Sequence, residues 1–427
     1  MTYFMIEGGY ALAGSIKIKG AKNSLLPIMA AAILSSENRE IVLENIPDIG
    51  DMRMKKNILQ SFGLKVDYEE STLRLNAYQL NSYTIPAALM KEMRSSIFLM
   101  GPMLARFGKV RVTYPGGCSI GPRPIDLHLK GLEALGANIW EEKGYIVAST
   151  SGLKGAEIHL DYPSVGATEN LMMAAVLAQG TTLIHNAAKE PEIVDLQNFL
   201  NAMGAHVRGA GTESLRIRGV EAVGSCRYRI IPDRIVAGTY LMAGAITGGR
   251  LTVRDIIPSH LDAVIAKMQE AGVVIEIGED SISVLNGQLK GVETLRTLPY
   301  PGFPTDLQSP MMALLTRAEG QSNVVESVFE ARFNHVNELN RMNARITVDG
   351  RTASLAGSAA LCGADVSATD LRAGAALVLA GLAAEGTTIV REIQHVERGY
   401  ENFDLELRRL GANIVRSEAR VSIKSGM

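Results

Sequence analysis

A segment of the form LxxLGAxI, or a near variant, occurs six times along the 427-residue chain: ILQSFGLKV, GLEALGANI, FLNAMGAHV, KMQEAGVVI, ELNRMNARI and ELRRLGANI. Gly63, Gly136, Gly204, Gly272, Asn343 and Gly411 hold the equivalent place, 68 to 73 residues apart, so six repeated units fill the chain. Each landmark reads as a helix end, with apolar positions three and four apart followed by a residue that tolerates the left-handed conformation. An alternating strand follows, as in ANIWEEKGYIVAS. Upstream of each landmark lies a second kind of helix, as in NLMMAAVLAQG, IVAGTYLMAGAITGG and RAGAALVLAGLAAEG, apolar on nearly every face. A helix without a polar face belongs in an interior. One unit therefore reads as buried helix, strand, amphipathic helix and two strands.

The fold class expected is α+β, with six modules whose sheets lie outside their helices. An open α/β solenoid is the competing arrangement, but no distinct polar capping unit stands at either end. Six units divide most simply into two halves of three, with the break near Ile231 and Pro232.

Charge and cysteine content remove several functions. The chain has 43 basic and 45 acidic residues, which gives no basic excess to neutralise a phosphate backbone, so nucleic acid is not an expected partner. Cys118, Cys226 and Cys362 lie far apart, without metal-ligand spacing, and read as reduced thiols of a cytosolic protein. The longest uncharged apolar run, Ala373 to Ala384, is too short for the ~20 residues of a bilayer span. The start of the chain lacks the basic and apolar regions of a secretory signal. No phosphate-binding GxxxxGK[ST] loop, HExxH or EF-hand loop is present, and neither metal nor cofactor is expected.

Just before each buried helix sits a polar or charged cluster: Lys22, Asn23 and Ser24; Arg94, Ser95 and Ser96; Ser164, Thr168 and Glu169; Asp233 and Arg234; Thr305 and Asp306; Thr369, Asp370 and Arg372. Capping accounts for the Ser, Thr and Asp residues. It does not account for the recurrent Lys or Arg, whose sign is wrong for a helix start on stability grounds. Three helix starts converging on one end of a half, with these cations added, make a site for a phosphorylated or carboxylated substrate. The remaining unusual segment is YPGGCSIGPRPIDLH, Tyr114 to His128, where glycines and prolines shape a loop around Cys118 beside Arg123. That is the setting of a reactive thiol. The GxSxG match inside it is weak, because GPRP interrupts the strand-to-helix passage that a hydrolase elbow needs.

These stretches, with IKGAKN, PSVGATEN, EPEIVD, IPDRIVAGTY, PTDLQSP, VFEARFNHV, ATDLRAGAALVLAGLAAEGTT and HVERGYE, resemble the enolpyruvyl transferase family in its UDP-N-acetylglucosamine branch, over essentially the whole chain. The resemblance implies two inside-out, barrel-like α/β domains of three units each, residues 22–231 and residues 1–21 with 232–427. It implies transfer of the enolpyruvyl group of phosphoenolpyruvate to the 3′-hydroxyl of UDP-N-acetylglucosamine with release of phosphate, the first committed step of peptidoglycan synthesis. By motif, Cys118 is associated with protonation of the phosphoenolpyruvate methylene carbon and with alkylation by fosfomycin, and Asp306 with taking the hydroxyl proton. Lys22, Arg123 and Arg398 match the cations around phosphate and carboxylate, with Arg94, Arg332 and Arg372 in the same basic site. Asn23 matches a sugar contact. Arg123, Pro124, Ile125, Asp126 and Leu127, together with Ser164, Val165 and Gly166, match the uridine and diphosphate side, and Val328 the UDP-sugar site.

The sequence departs from the family pattern at Tyr162 and Pro163, where some members have a nearby Lys, and at Phe98, where others have Trp. A shikimate-pathway enolpyruvyl transferase would lack the PGGC loop. A cysteine hydrolase would need a His beside Cys118, and only His128 is near in sequence. A non-catalytic UDP-sugar-binding paralogue is the third alternative, against which Lys22, Cys118, Asp306 and Arg398 stand intact.

Overall fold

The structure, a computed structural model, describes residues 2–80, 82–84, 94–113, 125–330 and 332–418, with residues 94–96 described by backbone only. Twelve helices carry the repeat: α1 (Lys22–Ala31), α2 (Gly50–Ser61), α3 (Met100–Phe107), α4 (Asp126–Ala134), α5 (Val165–Ala175), α6 (Pro191–Ala202), α7 (Arg234–Ile246), α8 (Asp262–Glu270), α9 (Gln308–Thr316), α10 (Val336–Arg341), α11 (Leu371–Ala383) and α12 (Phe403–Arg409). The odd-numbered helices are the apolar ones and the even-numbered ones are amphipathic. Every residue of α11 is buried, and so is every residue of α9. All six landmark residues have positive φ, from 69° at Asn343 to 103° at Gly204, which is the left-handed helix ending that their spacing predicts.

The sheets repeat as regularly as the helices. Thr181–His185 runs parallel to Glu157–His159 and antiparallel to Ser214–Arg218, which pairs antiparallel with His206–Arg208. Four other sheets have the same order of one parallel and two antiparallel pairings. In the sixth, three strands are paired and Thr84 bridges Arg111 in parallel where a fourth would lie.

The chain separates into two compact units. The described residues of one run up to Ile18 and resume at Asp233; those of the other lie between Lys19 and Pro232. Each unit closes on itself through borrowed strands, so neither is an open solenoid. Between Lys19 and Pro232, Arg227–Arg229 pairs in parallel with Ile41–Glu44 and joins the third repeat to the first. In the other unit Thr2–Glu7 lies between Thr387–Arg391 and Asn413–Glu418, and Ala13–Lys17 pairs with Arg250–Arg254. Each unit has its own apolar core. In one, α7, α9 and α11 pack against one another; in the other, α1, α3 and α5 occupy the corresponding places. No helix among the described residues is long and apolar enough to cross a membrane.

Candidate active site

In the unit that begins again at Asp233, the starts of the buried helices gather charge. Asp306 lies in a tight turn, Thr305–Leu307, directly ahead of α9. Its Oδ1 accepts from Arg332 Nη2 at 2.8 Å and its Oδ2 from Arg372 Nη2 at 3.0 Å. The side chains of Arg332 and Arg372 are 4 % and 3 % exposed and that of Asp306 is 26 % exposed, so the carboxylate is the part of the cluster that solvent reaches. Two guanidiniums on one carboxylate, with the buried Glu326 one hydroxyl beyond Arg332, make a dense charge cluster in a largely dry setting, where electrostatic interactions are strong.

A second layer holds these groups. Arg332 Nη1 donates to Thr305 Oγ1 at 3.0 Å, and Thr305 Oγ1 donates to Glu326 Oε2 at 2.9 Å. Glu326 Oε1 also accepts from Thr297 Oγ1 and from the backbone N–H groups of Val328 and Phe329, at 2.8, 2.9 and 3.0 Å. That carboxylate therefore fixes the backbone at Val328. Arg372 Nη1 donates to the Tyr400 hydroxyl at 3.2 Å, which lies 2.8 Å from Thr239 Oγ1. Burial alone would lower the Arg372 pKa, but Asp306 and Tyr400 outweigh it and hold the group above its ordinary value. Burial pushes His335 down to about 4, against the pull of Asp370 and with the push of Arg332, so this imidazole is neutral at pH 7. Arg398 closes the single turn Gln394–Glu397 and is half-buried.

Between Lys19 and Pro232 the helix starts are built differently. Lys22 and Asn23 form the first turn of α1, both half-buried, and Lys22 Nζ pairs with Asp51 Oδ2 of α2 at 3.3 Å. Ser164 is the N-cap of α5, accepting from Ala167 N at 3.3 Å, with Val165 and Gly166 in the first turn. Gly166 is required by crowding, because a Cβ there would meet Phe98 Cε1 at 2.9 Å and His128 Cε1 at 3.3 Å. His128 is buried, with Asn170 Nδ2 3.1 Å from its Nδ1, and is a partnered core histidine. Ile125 caps α4, and Asp126 and Leu127 begin it. Arg94 starts the short helix Arg94–Leu99.

The sequence-identified cysteine, Cys118, lies outside the described residues with Arg123 and Pro124. Of the other two thiols, Cys362 is exposed and Cys226 is half-buried, where burial pushes its pKa up to about 11. A thiol so shifted is not a nucleophile at pH 7. The capping expectation divides: Ser164, Asp233 and Asp370 accept from helix N–H groups, whereas Lys22 to Ser24 lie inside α1, whose N-cap Ala21 supplies no side-chain bond. Sequence reasoning passed over Asp51, Glu326 and Tyr400. Tyr400 ends the HVERGY stretch and Asp51 opens an amphipathic helix, but neither position by itself signals a partner across the fold.

Comparison with known proteins adds three findings. The family model described as EPSP synthase (3-phosphoshikimate 1-carboxyvinyltransferase) matches residues 6–414. UDP-N-acetylglucosamine 1-carboxyvinyltransferase 1 of Symbiobacterium thermophilum is 54 % identical over 97 % of this chain and 95 % of its own length; UDP-N-acetylglucosamine 1-carboxyvinyltransferase 2 of Carboxydothermus hydrogenoformans is 51 % identical over 97 % and 99 %. Among solved structures, the enolpyruvyl transferase NikO from Streptomyces tendae superposes with a TM-score of 0.89 at 26 % identity, covering 98 % of this chain and 99 % of its own. EPSP synthase from Acinetobacter baumannii gives 0.73 at 18 %, covering 98 % and 100 %, which bears on the fold alone.

Proposed function

The chain belongs to the EPSP synthase family of carboxyvinyltransferases, and on that premise we propose that it transfers the enolpyruvyl group of phosphoenolpyruvate to the 3′-hydroxyl of UDP-N-acetylglucosamine, releasing phosphate. The observation that carries this reading is the 51 to 54 % identity, over 97 % of the chain, to enzymes named for that acceptor. The reaction supplies peptidoglycan synthesis, and we place it in the cytoplasm, where phosphoenolpyruvate and nucleotide sugars are made.

The site roles follow from chemistry that these residues can perform. A proton from the Cys118 thiol goes to the methylene carbon of phosphoenolpyruvate, leaving oxocarbenium character at the neighbouring carbon. The sugar 3′-oxygen forms a bond to that carbon and gives its proton to Asp306. The methylene carbon then returns a proton, the double bond re-forms, and the carbon–oxygen bond to phosphate breaks. Lys22, Arg123 and Arg398 bind phosphate and carboxylate, with Arg94, Arg332 and Arg372 adding positive potential. Fixed cations in a dry site stabilise departing phosphate without reorganising. Asn23, the Arg123–Leu127 segment, Ser164–Gly166 and Val328 serve the UDP-sugar. The backbone order that Glu326 imposes at Val328 supports that last role.

The reading is tested by proton NMR of the products formed from phosphoenolpyruvate and UDP-N-acetylglucosamine in deuterated water. The expected product is an enolpyruvyl ether carrying deuterium at its methylene carbon. Formation of no vinyl ether would overturn the proposed activity, and a vinyl ether without deuterium would overturn the protonation step. For the thiol, Cys118→Ala is expected to abolish turnover while Cys226→Ala and Cys362→Ala retain it, and fosfomycin is expected to add to Cys118 in an intact-mass measurement. Equal loss in all three variants, or no adduct, would remove Cys118 from the mechanism.

A further inference from the structure

The first turn of α1 has a difficulty that the starts of α7 and α11 lack. It places a cation, Lys22, at the positive end of the helix dipole, with no side-chain cap on the N–H groups. The helices begun by Arg234 and Leu371 have Asp233 and Asp370, each accepting from two backbone N–H groups. Something else must hold α1, and the structure contains it in α6. Asp195 is 1 % exposed, and its carboxylate accepts a short bond from Ser24 Oγ, a bond from the Tyr228 hydroxyl at 2.5 Å, and a longer one from Ile231 N at 3.4 Å. Ser24 is fully buried.

These donors come from two passages of chain that run side by side. Ala21 N donates to Ile231 O at 2.8 Å, Gly20 forms an antiparallel bridge with Pro232, and Asn45 Nδ2 donates to Ile230 O at 3.1 Å. These are the residues by which the chain enters and leaves the unit between Lys19 and Pro232. Asp195 collects one donor from the entering passage and one from the leaving passage, with Tyr228 beside them. Burial pushes the Asp195 carboxyl up while the Ser24 and Tyr228 bonds oppose that shift. The Tyr228 hydroxyl is pushed up by burial and by Asp195, which keeps it a donor.

We propose that Asp195 is a positioning residue for the reaction: through Ser24 it fixes the first turn of α1, and so sets the direction of Lys22 and Asn23, with Tyr228 orienting the carboxylate. Asp51 restrains the far end of the Lys22 side chain, and Asp195 restrains the backbone from which it springs. The inference rests on the reading above in which Lys22 binds substrate.

A double-mutant cycle on the full chain tests it. Ser24→Ala, and independently Asp195→Asn, are expected to lower kcat/KM for phosphoenolpyruvate about tenfold in the otherwise unaltered enzyme, and by less than about twofold when Lys22→Ala is already present. Ser24→Thr, which keeps the hydroxyl, is expected to recover most of the loss. A merely structural role for Asp195 gives the same fold-loss in both backgrounds, and that result, or no loss from Ser24→Ala, overturns the inference. If Lys22→Ala alone leaves activity intact, the role of Lys22 fails, and the positioning role falls with it for that separate reason.

Discussion

Between Lys19 and Pro232 the fully buried charges centre on Lys55 of α2 and Glu169 of α5, with Glu190 and Glu192 close enough to act on Glu169. From Asp233 onward the buried Arg332 and Arg372 share the partly exposed carboxylate of Asp306. One unit thus places carboxylates around Lys55, and the other sets two guanidiniums on Asp306 with the buried Glu326 behind Arg332 through Thr305. The repeat is the same in both and supplies the same parts, a buried helix whose start carries polar side chains. The duplicated backbone builds the same frame twice, while the side chains set on it give each unit its own arrangement of interior charge.

The largest effect is expected at Asp306. Asp306→Asn removes the proposed base and leaves two buried guanidiniums facing a neutral amide; kcat is expected to fall about a thousandfold, as steady-state kinetics with both substrates will show. A variant with near-normal kcat would mean that this carboxylate only neutralises its neighbours.

Next is the Lys55–Glu169 pair. Burial lowers Lys55 from its ordinary 10.5 to about 7 and raises Glu169 well above 4.5, with Glu192 and Glu190 adding to the latter shift. Removing either group leaves the other buried without its opposite charge, which is expected to lower stability. In Lys55→Met, Glu169 keeps a proton that the unfolded chain has lost, so stability falls as pH rises above about 4.5. In Glu169→Gln, Lys55 lacks a proton that the unfolded chain retains, so stability rises as pH climbs from about 7 toward 10.5. Urea unfolding at pH 6 and pH 9 separates the two, and parallel slopes would contradict the burial account.

Smaller effects sharpen the picture. Gly166→Ala drives a methyl into Phe98 and is expected to cost about 1–3 kcal/mol of stability and to raise KM for UDP-N-acetylglucosamine; an unaltered KM would separate α5 from the UDP-sugar site. At the caps, Asp370 accepts from two N–H groups at 2.9 and 3.0 Å, whereas Ser164 accepts from one at 3.3 Å. Asp370→Ala is therefore expected to lower stability by about 1–2 kcal/mol and Ser164→Ala by about half as much, measured by denaturation. The reverse order would show that cap geometry is not what differs between the units.

The frame of this protein is legible in its sequence because it depends on local chemistry. Gly63, Gly136, Gly204, Gly272, Asn343 and Gly411 each end a helix by their own backbone preference, and an apolar-all-round stretch must be buried wherever it occurs. The grouping of Asp306, Arg332 and Arg372 was accessible only through motif resemblance, since it joins three separate elements. The Asp195–Ser24–Tyr228 contacts, and the electrostatic influence of Glu169 on Lys55, were not legible at all. Their partners are brought together by ring closure and helix packing, and no spacing within one element encodes that meeting.

The proposed reaction of this sixfold frame is enolpyruvyl transfer to a nucleotide sugar. The direct measurement is phosphate release from phosphoenolpyruvate, followed with UDP-N-acetylglucosamine and, separately, with shikimate 3-phosphate as acceptor. Release that depends on UDP-N-acetylglucosamine and is absent with shikimate 3-phosphate is the expected result. Release with shikimate 3-phosphate, or with neither acceptor, would contradict it.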